Sequence, residues 1–426
     1  MNSNQTAARR LQPVIVGGDI GVYALVRSFH ETYGVRSIVL AEAETGAVGQ
    51  SSIIDLRIIT VGQHPERLID ALVACAREQQ EASGADQVDL VLLTNSDWYA
   101  RLLVGARDEL ENAGYKLPFP SLQTFEEVSD KQQFARIAGE VGMRVPTTQT
   151  IDFSPADDAG WQPEAVTLRY PLVCKPAVSS YWQTMSFDGK KKIYFVETAE
   201  QLERLWQTLR TGGFRGEFLV QELVPGDDTT QRSVTAYVDG EGRVTMLSGA
   251  RVLLEDHTPA GMGIPAAMIS DRDDELLDQA RRFLEHVDYH GFANFDAKID
   301  PRDGSAVFFE VNPRIGRNNY YVSAGGTSPA AAVVRDVIAG ESPQSPDVVS
   351  QRVLYTTVPT GLLLKYLTGA QSEEVRRLLR TKQVVEPLKY PRVERSLRRG
   401  LYLMLASANQ RRKYRKYYPE TTETGF

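Results

Sequence analysis

The sequence predicts an α/β protein of more than one lobe, with a doubly wound parallel sheet at its N-terminal end. Three observations predict it. The 426 residues exceed what one simple core holds. Short apolar runs alternate with helical patterns over the first 120 residues, the signature of βαβ units. Apolar residues make up 42% and charged residues 24%, a balance that suits a soluble globular chain rather than a disordered or membrane-spanning one.

In chain order, Val14-Ile15-Val16 reads as a buried strand that runs into the turn Gly17-Gly18-Asp19-Ile20-Gly21 and then a helix through about His30. The turn is not a GxGxxG fingerprint. It reads first as a structural turn, and functionally its backbone N–H groups at the helix start would hold a substrate carboxylate. A strand over 37–41, a helix over 65–80, a strand over 90–94 and a helix over 98–113 follow. Pro118-Phe119-Pro120 then closes a first lobe, taken as 1–120. A helix opens at Ser129-Asp130-Lys131 and runs through Glu140. Strands over 172–176, 193–196 and 217–222, with a helix over 199–210, complete a second lobe, 121–222. Strands over 233–238 and 244–254 and a helix over 273–287 lead into a hairpin in the third lobe, 223–342. Pro343 to Pro346 reads as a linker into a basic C-terminal extension, 343–426.

Charge and composition exclude several classes. A net charge of −7 argues against a general nucleic-acid binder. Cys75 and Cys174, the only two cysteines, have no metal-ligand spacing and fit a reducing compartment as small buried residues. The start is polar, without the apolar core of a signal peptide, and no apolar run reaches bilayer length, so the expected location is the cytoplasm.

The chemistry concentrates in the hairpin, GFANFDAKIDPRDGSAVFFEVNPRIGR from Gly291 to Arg317. Two strand-like runs, 294–299 and 307–312, flank the turn Asp300-Pro301-Arg302-Asp303-Gly304. Folding about that turn sets Asp296 opposite Phe309, one residue from Glu310, and strand period two puts Glu310 and Asn312 on one face. Two carboxylates and an amide oxygen suit Mg²⁺, a hard cation that shares its shell with substrate phosphates. The plain alternative is a surface hairpin with solvated acids, but Glu310 lies within Val-Phe-Phe-Glu-Val, whose neighbours favour burial. A buried carboxylate needs a partner, and a metal or Arg314 would supply one.

Two lysines could meet the phosphates of a nucleotide. Lys175 ends an apolar strand before a proline, and Lys131 lies in the first turn of its helix. Singly, each reads as a solvated charge; together with a Mg²⁺ site they supply what triphosphate charge requires. No GxxxxGK[ST] cradle is present. Gln221-Glu222-Leu223-Val224 reads as a hinge whose extended backbone offers an N–H and a C=O to a purine edge, with Asp227 and Asp228 following at a distance suited to ribose.

The order of these parts resembles the ATP-grasp superfamily over roughly 13–339: a lysine at a helix start, Lys-Pro after a strand, a Gln-Glu hinge with Pro-Gly-Asp, an Asp in a strand, then Glu-x-Asn-Pro-Arg. The resemblance implies a nucleotide held between two α+β lobes behind a Rossmann-like domain. It implies ATP phosphates at Lys131 and Lys175, adenine at Glu222 and Val224 within 221–224, and ribose at Asp228. It further implies Mg²⁺ at Asp296, Glu310 and Asn312, and the transferred phosphoryl at Arg314. The family's phosphate-covering loop is usually glycine-rich, whereas here it reads AVSSYWQTMSFDGKK, so Ser179 and Ser180 would supply the donors.

Within the superfamily the stretches GGDIGVYALVRSF, LVPGDDTTQRSVTAYVD, LLEDHTPAG and GFANFDAKIDPRDG, with the basic end, are similar to bacterial D-aspartate ligases and their carboxylate–amine ligase relatives. That likeness implies ATP-driven attachment of D-aspartate to the side-chain amine of a peptidoglycan precursor, UDP-linked or lipid-linked. For the donor, Arg251 would meet the α-carboxylate and Asp19 the ammonium, with Arg317 nearby. His257 reads either as a base toward the amine or as a hydrogen-bonded loop histidine. The end RSLRRGLYLMLASANQRRKYRKYY is expected to pack Leu401, Leu403 and Leu405 on the body and to offer its basic side to an anionic precursor or anionic lipid. An ATP-grasp ligase with another acceptor, and a non-catalytic nucleotide-binding regulator, remain the alternatives.

Overall fold

The computed structural model describes residues 9–62, 64–84, 87–177, 182, 185–191, 193–259 and 261–424. The first lobe is a five-stranded sheet of β1 (Arg10–Val16), β2 (Ser37–Ala41), β3 (Ile54–Ile58), β4 (Val88–Thr94) and β5 (Tyr115–Lys116). Its order is β3-β2-β1-β4-β5 with every pairing parallel, the doubly wound arrangement that the alternating pattern predicts. The strand Ile54–Ile58 was not expected: it is an edge strand with only its first residue buried, so it lacks the apolar run that marks its neighbours. The helix expected over 98–113 is two, Asp97–Gly105 and Arg107–Asn112, which break at Ala106.

The second sheet is antiparallel, with β6 (Thr148–Asp152), β7 (Leu172–Pro176), β8 (Tyr194–Val196) and β9 (Glu217–Glu222) in the order β6-β9-β7-β8. One face packs on an aromatic cluster of Phe153, Trp182, Tyr194, Trp206, Phe214 and Phe218. Leu172 and Cys174 of β7 join that cluster, so strand alternation turns Lys175 to the other face, opposite Leu219. Both cysteines are free and buried.

The third sheet has eight strands: β10 (Gln231–Val238), β11 (Val244–Glu255), β12 (Pro265–Ser270), β13 (Gly291–Ile299), β14 (Ala306–Asn312), β15 (Asp347–Val348), β16 (Leu354–Thr356) and β17 (Val384–Val385). They run β14-β13-β10-β11-β12-β16-β17, with β15 alongside β11. Residues beyond the Pro343–Pro346 stretch thus add three strands to this sheet. One face carries Val234, Ala236, Ala293, Phe295, Ala297 and Phe308 against Leu277, Phe283 and Leu284 of the helix Asp274–His286 and Phe134 of the helix Lys131–Glu140. The opposite face packs Tyr237, Met246 and Phe292 into the core of the first lobe at one end and carries polar side chains at the other. Lys298, Asp296 and Asn294 of β13 alternate with the apolar set, beside Gln231, Ser233 and Thr235 of β10. This division positions the site.

Candidate active site

The hairpin pairs Asp296 with Glu310 and Asn294 with Asn312, which sets both carboxylates and both amides on the polar face. The sequence expectation of Asp296 opposite Phe309 is corrected by a bulge. Ala297 faces Phe308 and Asp296 faces Glu310, so Phe309 is the extra residue on β14. Without it, the pleat would send Glu310 to the apolar face. The Asn312 side-chain N–H donates to Asp296 Oδ2 at 3.4 Å, and that of Asn294 donates to Asp296 Oδ1 at 3.4 Å. Asn294 accepts from the Thr235 hydroxyl at 3.2 Å. Sequence reading missed Asn294; its period-two relation to Asp296 was the available signal.

Burial, and then the charge of Glu310, push the Asp296 carboxyl up to about 7, while Arg314 pulls it down. Two facing carboxylates in a partly dry setting are an electrostatic cost that a divalent cation removes, so the donor set fits Mg²⁺. Among the described residues no group of three or more His, Cys, Asp or Glu could hold a metal by itself. Amide, phosphate and water oxygens would complete the shell, as hard-cation sites at nucleotides require. The Asn312 amide offers its oxygen after a half-turn.

Arg314 forms an ion pair with Asp97, Nε to Oδ1 at 3.0 Å and Nη2 to Oδ2 at 3.1 Å. Asp97 opens the helix after β4, so this pair ties the hairpin to the first lobe. Arg317 Nε reaches Asp19 Oδ2 at 3.0 Å. Asp19 is the N-cap of the helix Ile20–Tyr33, and its Oδ1 accepts from the N–H groups of Gly21 (2.9 Å) and Val22 (3.1 Å) and from Asn95 Nδ2 (2.9 Å). The expectation that this helix start receives a substrate carboxylate is therefore corrected, because the chain's own aspartate takes those donors. Gly21 is required by close approach: a Cβ there would fall 2.7 Å from the Arg317 carbonyl oxygen.

The hinge backbone is partly committed. Glu222 N–H donates to Thr147 O at 3.0 Å and Leu223 N–H to Pro171 O at 3.1 Å. The Val224 carbonyl accepts from Lys298 Nζ at 3.1 Å, and the same ammonium binds the Gly226 carbonyl. Gln221 Nε2 donates to Thr148 Oγ1 at 2.9 Å, and Glu222 Oε1 accepts from Arg169 N–H at 3.1 Å. Lys298, which sequence reading passed over, thus fastens the 221–226 segment to β13. Lys131 begins its helix beyond the N-cap Asp130, and Gln132 Nε2 links that helix to Glu217 at 3.3 Å. Ser179 and Ser180 lie outside the described residues.

Asp228 is buried, and its Oδ2 accepts from Glu255 N–H at 2.9 Å and meets His257 Nε2 at 2.8 Å. Its Oδ1 is buried with no hydrogen-bond partner among the described residues. His257 is also buried and stacks on Tyr418, ring centroids 3.4 Å apart and planes 4° from parallel. The structure therefore gives His257 the hydrogen-bonded reading, buried between Asp228 and Tyr418. Burial first, and then Asp228, raise the Glu255 carboxyl to about 7.

Arg251 is not brought to this group. It pairs with Arg232, which pairs with Ala297, so its side chain leaves the sheet on the face opposite Asp296. There its guanidinium is paired with Glu374, which also holds Arg352 at 2.6 Å.

Comparison with known proteins bears on the fold and the reaction class. Residues 130–328 match the family described as carbamoyl-phosphate synthase L chain, ATP binding domain. A D-aspartate ligase of Enterococcus faecium is 28% identical over 415 residues, covering 95% of this chain and 96% of that protein. Among solved structures, biotin carboxylase of Campylobacter jejuni in a β,γ-ATP complex superposes with TM-score 0.56 at 14% identity, over 80% of this chain and 74% of that one. An L-amino acid ligase of Bacillus licheniformis gives TM-score 0.53 at 16% identity, over 78% and 75%. Residues 130–328 thus carry an ATP-grasp domain, and the likeness to a D-aspartate ligase extends along nearly the whole chain.

Proposed function

We propose that the protein is an ATP-dependent carboxylate–amine ligase that joins D-aspartate to the side-chain amine of a peptidoglycan precursor. The observation that carries the reaction class is Asp296 facing Glu310 on a polar sheet face, within a fold whose relatives form C–N bonds. The end-to-end likeness to a D-aspartate ligase supports the donor.

A carboxylate does not react with an amine at neutral pH, because its oxygen is a poor leaving group. Transfer of the ATP γ-phosphoryl to the donor carboxylate gives an acyl phosphate and ADP. The amine then attacks that carbonyl, phosphate leaves and the amine loses a proton. Asp296, Glu310 and Asn312 would hold Mg²⁺, which neutralises phosphate charge. Lys131 and Lys175 would steady the triphosphate, and Arg314 the transferred group once it exchanges Asp97 for phosphate. Glu222 and Val224 would meet the adenine, and the unpartnered oxygen of Asp228 the ribose, with His257 fixing that carboxylate through its other oxygen. Arg251 has no part in this scheme.

The test is ADP and phosphate release, assayed without and with D-aspartate and a lysine-containing precursor, UDP-linked or lipid-linked. Release that needs both substrates, with amide product, supports the reading. Release with L-aspartate or another amine alone reassigns the donor or acceptor, and no release with any panel member removes the ligase reading.

A further inference from the structure

The expectation that Leu401 and Leu405 pack on the body fails. The helix Leu397–Tyr417 leaves Leu397 (90% exposed), Leu401 (54%), Met404 (62%) and Leu405 (58%) open to solvent. At 100° per residue these four share one outward face, which continues into Arg411, Arg412 and Arg415. Over its length the helix carries Arg398, Arg399, Arg411, Arg412, Lys413, Arg415 and Lys416 and no acid, on a chain of net charge −7. We propose that this helix is a peripheral anchor that lays its outward leucines and arginines on an anionic lipid surface.

The outward face is presented rigidly. Near the start, the Arg399 guanidinium is buried, donates to the carbonyls of Ala47 (3.0 Å) and Gly49 (3.3 Å) and lies 4.3 Å from the Tyr23 ring centroid. The neighbouring Tyr402 ring fills the space where a Cβ on Gly46 would stand. At the far end, the Tyr414 hydroxyl donates to the Glu255 carbonyl, and Tyr418 stacks on His257. With the inner face clamped to the first lobe at one end and to the third sheet at the other, the helix cannot roll its leucines inward. Exposed aliphatic side chains in line with arginines, on a helix without acids, suit the boundary between headgroups and acyl chains. The acidic remainder of the chain would be held off the same surface, which fixes the orientation. A second copy is a poor occupant. In a parallel two-fold pairing arginines meet arginines, and in an antiparallel one they are buried on leucines without counter-charge. Among the described residues no helix is long and apolar enough to cross a membrane, so the contact lies in the interface plane.

The test is flotation of the full chain with vesicles of phosphatidylcholine alone or mixed with phosphatidylglycerol. Binding to the mixed vesicles alone is expected. Arg411→Glu/Arg412→Glu should weaken it on the order of tenfold or more, as should raised salt. Leu401→Glu/Leu405→Glu should abolish it while thermal unfolding, checked in parallel, stays unchanged or improves. Three results would overturn the proposal: no flotation with phosphatidylglycerol, binding that follows the arginines but ignores the leucine variant, or a solution dimer that the leucine variant dissolves.

Discussion

Replacing Glu310 by Gln is expected to raise the stability of the metal-free protein while it destroys activity. Glu310 and Asp296 are directly opposed on antiparallel neighbours, a relation that brings Cβ atoms to about 5 Å. At an effective dielectric of about 20, two charges at that distance repel by roughly 3 kcal/mol. Asp296 keeps part of its surface in water, so screening reduces this to about 1–2 kcal/mol. Glutamine keeps the shape and removes this repulsion together with the attraction of Glu310 to Arg314, so the metal-free variant should gain less than that much. With Mg²⁺ and a non-hydrolysable ATP analogue the order reverses. A ligand at a hundred times its Kd stabilises the parent by about 2.7 kcal/mol, and the variant, short of one carboxylate, gains little. The assay is thermal unfolding in EDTA and in the Mg²⁺–nucleotide mixture, beside ADP release, which should fall by at least ~100-fold. A variant that melts below the parent in EDTA, or shows the parent's full nucleotide shift, would refute the reasoning.

Three other substitutions bear on the neighbouring groups. Glu255, buried beside Asp228, holds its proton to about pH 7 in the fold, against 4.5 ordinarily, so the native state binds more protons between those values. Stability should therefore fall as pH rises through that window, and Glu255→Gln should flatten the fall in urea titrations at stepped pH. Tyr418→Ala removes the ring stacked on His257 and should weaken ADP binding by about 3–10-fold in calorimetry; an unchanged Kd would separate the Asp228 pair from the nucleotide. Arg251→Ala should cost about 2 kcal/mol of stability through the loss of Glu374. It should leave the KM for the donor amino acid unchanged, and a tenfold rise would return Arg251 to the substrate site.

Where local pattern decided the structure, the sequence was readable. The helix Lys131–Glu140 begins where Asp130 precedes it, and strands Ser37–Ala41, Leu172–Pro176 and Glu217–Glu222 stand at their expected bounds. The acidic hairpin was legible for the same reason, since turn chemistry and apolar neighbours frame it. What failed depended on partners far along the chain. The bulge at Phe309 has no residue signal, so the facing of Asp296 and Glu310 was one position out. Eleven of the twelve residues of β11 are buried, which hides alternation, and the face of Arg251 appears only once Arg232 and Ala297 are aligned with it. Asp97 meets Arg314 across 217 positions and Lys298 meets Val224 across 74, separations that no window on the sequence spans. The helix start at Asp19 was misread as open to a carboxylate despite an available cue, an aspartate directly before a helix, which predicts a cap. The leucines of the last helix follow an ordinary packing pattern, and only the clamps at Arg399 and Tyr414 turn them outward.

Anomalous diffraction from crystals grown with Mn²⁺ and ADP would test the metal assignment most directly. The account requires a manganese peak within bonding distance of carboxylate oxygens of Asp296 and Glu310 and of a phosphate oxygen of the nucleotide. A nucleotide seated elsewhere, or a metal bound away from both carboxylates, would contradict it.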